Sequence, residues 1–149
     1  MKALIVREFG EPDVMKLEDV ETPTPSGTQV LVCIHAAGVN PVDTYLRTGI
    51  HAHAPKLPYT PGKDGAGVVE AVGEGVSKFK VGGRVYTANT VTGTYAEYAI
   101  CEEIDLGRNR QSYLRSRECI GTEQPGAAIS LSALTLADRG PLVISNHSR

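Results

Sequence analysis

A mainly-β fold with short helices is what this sequence predicts, and two observations carry the expectation. Up to about Cys101, short β-type runs alternate with Gly and Pro punctuation, a rhythm that suits a compact sheet domain rather than a helical bundle. In the most regular of these runs, Val30, Val32, Ile34 and Ala36 fall on one side while Leu31, Cys33 and Ala37 fall on the other. Both sides are apolar, so the run is expected to be a central, covered strand.

The elements follow in chain order. Residues 2–7 form a first strand, ended by the turn residues Gly10-Glu11-Pro12-Asp13, and Pro23-Thr24-Pro25-Ser26-Gly27 separates the following strand from residues 29–37. Residues 40–47 carry the chemistry of a short helix start. Asn40 is a cap residue, Pro41 at the first helical position sacrifices no needed donor, and Asp43 complements the positive end of the helix dipole. Gly49 stops the helix. A loop with Pro55, Pro58 and Pro61 leads to residues 65–73, a strand whose glycines imply close backbone approach. Residues 81–88 and 95–101 complete the strand set.

Composition narrows the function classes. The 149 residues include 41% hydrophobic and 21% charged side chains, ordinary for one folded domain and unlike a disordered chain. With 15 Lys+Arg against 17 Asp+Glu, no global positive field favours nucleic acid. The longest apolar region, residues 30–39, is broken by His35 and falls short of the roughly 18 residues a membrane span needs. The run after Met1 is too short for a signal peptide, so a cytoplasmic setting is expected. Cys33, Cys101 and Cys119 are widely spaced and form no Cys-x-x-Cys pair, which predicts reduced thiols rather than a disulfide framework or a four-cysteine zinc lobe.

After Gly107 the character changes. Lysines 2, 16, 56, 63, 78 and 80 all precede it, whereas Arg108, Arg110, Arg115, Arg117, Arg139 and Arg149 follow without a single Lys. A foreign exon or a changed reading frame would leave such a shift. The expected organisation is one domain over residues 1–107 and a divergent tail over 108–149, poorly ordered or weakly helical, with residues 127–137 as one modest helix.

Four ordered motifs then stand out: Gly38-Val39-Asn40-Pro41-Val42-Asp43-Thr44-Tyr45-Leu46-Arg47-Thr48-Gly49, the run from Pro58 through Pro61-Gly62-Lys63-Asp64 to Gly73, Gly82-Gly83-Arg84-Val85, and Tyr95-Ala96-Glu97-Tyr98. In these residues the sequence resembles the zinc-free quinone oxidoreductase (zeta-crystallin) branch of the medium-chain dehydrogenase/reductase superfamily. The resemblance runs from Met1 to about Gly107, and the tail keeps scraps such as Glu123-Gln124 and Gly126-Ala127-Ala128. It implies a GroES-like, partly open β-barrel that forms one wall of a cleft, with NADPH and a quinone between it and a Rossmann domain.

The site residues follow from that resemblance. Tyr45 is the candidate for cofactor contact, its ring free to stack and its phenol to hydrogen-bond; the alternative is a ring packed in the core. Asn40 is placed near the nicotinamide. Asp43 is either a functional acid or simply the helix cap. His51 is expected to line the quinone side. Zinc-dependent relatives carry a Cys near the first motif and a Gly-His-Glu triplet, where this chain has Asn40 to Asp43 and Gly62-Lys63-Asp64. A protonated lysine has no lone pair for zinc, so no metal is expected. His51 and His53 read as solvent-facing loop residues, with metal ligation as the alternative. Lys63 and Asp64 are expected to form a surface charge pair and Arg84 to anchor a turn. Hydride transfer from NADPH to a quinone needs no nucleophile, only positioned rings and donors for the developing oxyanion.

A Rossmann unit is not found in the sequence. Gly65-x-Gly67-x-x-Glu70 and Gly73-x-Gly75-x-x-Lys78 lack the third glycine and lie in no βαβ pattern. The resulting expectation is a truncated NADPH:quinone oxidoreductase with little activity alone, prone to associate through its exposed interdomain face. The alternative is a non-catalytic binding or regulatory short form. Its partner would be RNA, weakly held by Arg108, Arg110, Arg115 and Arg117 with Tyr113 for stacking, or the full-length enzyme.

Overall fold

The computed structural model describes residues 1–108 and the backbone of Ala127–Ser130. Strand β1 (Lys2–Val6) pairs antiparallel with β2 (Met15–Asp19) through a 3-10 turn at Pro12–Val14. The main sheet is built on β3 (Gln29–Val39), which leads into the only α-helix among the described residues, α1 (Pro41–Thr48). Strands β4 (Gly65–Val72), β5 (Arg84–Thr87), β6 (Tyr98–Glu102) and β7 (Leu106–Arg108) follow. They are ordered β6-β3-β4-β5-β7, all neighbours antiparallel. The sheet does not close: β6 and β7 end the path.

The expected central strand is central. Val30, Val32 and Ile34 are buried in the main core with Val69, Val85 and Cys101, and Leu31 and Ala37 are buried as well. The register with β4 shifts between Ile34 and Ala36, so His35 is the extra residue of a bulge and points to solvent. That is why a histidine interrupts an otherwise apolar run without burying its ring. At Gly67 the backbones of β3 and β4 come so close that a Cβ would collide with the Cys33 carbonyl, the close approach its glycine implied.

Burial pushes the Cys101 thiol up to about 11, and Cys33 and Cys101 are free. No helix among the described residues is long and apolar enough to cross a membrane.

One expectation fails. Ala127–Ser130 is not the start of a helix but a strand, β8, that pairs with Ala36–Val39 at the far end of β3, beyond the reach of β6. The local helix preference of its alanines yields to hydrogen bonds offered by an unpaired strand edge. The rest of the proposed helix lies outside the described residues.

Candidate functional site

Helix α1 is set by local chemistry. Asp43 Oδ2 accepts the Asn40 backbone N–H at 2.8 Å, Pro41 opens the first turn, and Gly49 ends the helix in the left-handed conformation at φ 75°. This places Asn40 and Asp43 at the N-terminal end and Tyr45 one turn later. Tyr45 is 54% exposed, which removes the core-packing alternative and leaves its ring open to a partner.

The first motif is tied to the second and the fourth. Asn40 Nδ2 donates to Asp64 Oδ2 at 2.8 Å, and the Asp64 carbonyl accepts from Gly38 N–H at 2.9 Å and Thr94 Oγ1 at 3.0 Å. Tyr95 donates its phenol to Asp43 Oδ2 at 3.1 Å in a buried contact. Its ring also lies against Gly62, where any Cβ would strike it. Asp43 is 5% exposed. Burial raises its carboxyl above the usual range, against the pull of the Asn40 and Tyr95 hydrogen bonds. The Tyr95 phenol is pushed well above the ordinary range, first by burial and then by the Asp43 charge.

Asp43 is therefore both a cap and part of a buried polar node. The node corrects the expected Lys63–Asp64 surface pair. Asp64 turns inward to Asn40, and Lys63 Nζ donates to Asn89 Oδ1 at 3.3 Å instead. Arg84 opens β5 with an exposed side chain, directly after the turn in which Gly83 N–H donates to the Lys80 carbonyl.

A cavity of about 550 Å³ lies beside α1. Ile5, Val20, Leu46, Pro58 and Val91 supply its apolar walls; Asp43, Tyr59, Lys63 and His53 bring polar groups to it. Asn40, Tyr45 and His51 do not line it. His51 Nδ1 accepts the His53 backbone N–H at 3.1 Å, with the two rings 5.8 Å apart. Among the described residues no three His, Cys, Asp or Glu side chains are placed to hold a metal. Sequence reading overlooked Tyr59 and the role of Tyr95. Both stand in the quoted motifs, but Tyr95 meets Asp43 across 52 positions, a pairing no local spacing encodes.

Gly65 and Gly67 lie within β4, paired on both sides, and not at a strand-to-helix turn. Among the described residues these glycines therefore form no strand-to-helix cradle for a pyrophosphate. Of the proposed RNA-binding arginines, Arg108 donates to the Lys78 carbonyl at 2.6 Å; Arg110, Arg115, Arg117 and Tyr113 lie outside the described residues.

Comparison with known proteins identifies the family. Residues 26–131 match the family described as "Alcohol dehydrogenase GroES-like domain". The chain is 59% identical over 104 residues to the quinone oxidoreductase of Sus scrofa, covering 69% of this chain and 32% of that protein. For the human quinone oxidoreductase the identity is 54%, again over 69% and 32%. Among solved structures, the Pseudomonas syringae quinone oxidoreductase superposes with a TM-score of 0.70 at 40% identity, covering 74% of this chain and 34% of that one. The Escherichia coli quinone oxidoreductase complexed with NADPH gives a TM-score of 0.69 at 29% identity, over 72% and 33%. The chain spans about a third of the length of the curated relatives it matches. It belongs to the alcohol dehydrogenase GroES-like domain family, in the quinone oxidoreductase branch of the medium-chain dehydrogenase/reductase superfamily.

Proposed function

We propose that this chain is the catalytic-domain wall of an NADPH-dependent, zinc-free quinone reductase, and that these 149 residues by themselves bind NADPH poorly and turn over little. The observation that carries the reading is the convergence of three motifs on one node: Asn40 to Asp64 at 2.8 Å and Asp43 to Tyr95 at 3.1 Å. That node fixes the N-terminal end of α1, so Asn40 and the exposed Tyr45 stand on a rigid element where a ring can dock.

NADPH, when bound, supplies the hydride; the protein's part is to hold the rings and offer donors. Tyr45 contributes a ring face and a phenol. Asn40 is pinned at its backbone by Asp43 and at its side chain by Asp64. Zinc independence is supported by the same residues, because the Asn40 amide is engaged with Asp64 and Lys63 offers no lone pair.

The test is NADPH consumption with a quinone acceptor at high protein concentration. Feeble turnover that disappears in Tyr45→Phe is expected. Robust turnover would overturn the incompleteness of the cofactor site, and turnover indifferent to the substitution would remove Tyr45 from it.

A further inference from the structure

Two polar atoms at the cavity beside α1 are left over by the node. Asp43 Oδ1 and the Tyr59 hydroxyl are buried and have no hydrogen-bond partner among the described residues, and both residues line that cavity. Buried polar atoms are nearly always paired, so two orphans on one cavity call for a common explanation. The other oxygen of Asp43 is already taken by Asn40 N–H and the Tyr95 phenol. A carboxylate only accepts, so whatever satisfies Oδ1 brings its own donor. A phenol both donates and accepts.

We propose that this cavity binds a small neutral ring compound carrying a hydroxyl group, whose O–H donates to Asp43 Oδ1 while its oxygen accepts from Tyr59. The ring body lies on Ile5, Val20, Leu46, Pro58 and Val91, and the cavity volume of about 550 Å³ is ample for it. Charge excludes the rivals. An anion would face the Asp43 carboxylate, and an ammonium drawn to Asp43 would share the cavity with Arg7 and Lys63. Tyr59 is the yielding wall. Its backbone is fixed to Val6 at 2.9 and 3.1 Å, but no side-chain hydrogen bond holds its phenol, so the ring moves aside without breaking one.

A quinone carries only acceptors, whereas its reduced hydroquinone carries two hydroxyls. The cavity therefore favours the reduced ring; that link to quinone chemistry rests on the reductase reading, while affinity for a phenol does not.

The test uses the full isotope-labelled chain without NADPH, so a failure of cofactor binding leaves it intact. p-Cresol, its methyl ether and benzylamine are titrated separately and followed by backbone amide shifts. p-Cresol is expected to saturate shifts at Asp43, Tyr59 and Val91, with the ether on the order of tenfold weaker because it cannot donate. Tyr59→Phe, which breaks no hydrogen bond, should melt at the same temperature or higher and bind p-cresol about fivefold more weakly. Equal affinity for cresol and ether, tighter binding of benzylamine, absence of saturable shifts, or an unchanged affinity in Tyr59→Phe would each overturn the proposal.

Discussion

The β1–β2 hairpin and the node around Asp43 both rest on a carboxylate that accepts two hydrogen bonds, but the two sites differ in burial. On the hairpin, Glu18 takes Arg7 Nε at 3.0 Å and Nη2 at 2.7 Å, with the Arg7 side chain 63% exposed. At the node, Asp43 is 5% exposed and takes a backbone N–H and a phenol from segments far apart in sequence. The hairpin pair has ideal fork geometry, yet water and salt screen it. The node has no formal ion pair, yet its groups are buried where water cannot replace a lost hydrogen-bond partner. Burial, more than the number of charged contacts, decides which one organises the fold.

The sharpest way to break the comparison is Asp43→Ala, which removes the helix cap and orphans both the Asn40 N–H and the Tyr95 phenol. A loss of about 3 kcal/mol is expected in urea unfolding. Tyr95→Phe leaves the cap and removes one donor to a buried carboxylate, so about 1.5 kcal/mol is expected in the same assay.

The pH dependence sharpens the contrast. Burial holds the Asp43 carboxyl above its usual range, so the native chain binds this proton more readily than the unfolded one. The resulting stabilisation is full below the unfolded carboxyl value of about 3.9 and is lost as pH rises through the raised folded value. Glu74 and Glu103, held low mainly by backbone N–H groups, have the opposite sign. The difference between Asp43→Asn and the parent chain isolates the effect, and unfolding across that window should show the variant gaining relative stability as pH rises. The smallest effect belongs to Glu18→Gln, whose unfolding midpoint in high salt should match that of the parent.

Helix α1 was legible because its signals are local: Asn40, Pro41, Asp43 and Gly49 specify start and stop within ten positions. Strand β3 was legible because alternation records two covered faces. The pairing of Ala127–Ser130 with the end of β3 was not, since it depends on where β6 stops. The same limit hid the node. Asp64 read as half of a surface charge pair, and only the fold reveals that Asn40 claims it. Tyr59 looked like part of a Pro-rich motif, and nothing in its neighbours announces a hydroxyl without a partner.

The central claim is that Asn40 and Tyr45 form one wall of a cofactor site whose pyrophosphate cradle these residues do not supply. Fluorescence titration of size-characterised protein with NADPH, beside Tyr45→Phe, tests it most directly. The account predicts no saturation up to millimolar nucleotide in either protein. Saturable micromolar binding that weakens in Tyr45→Phe would contradict it, because the wall alone would then suffice.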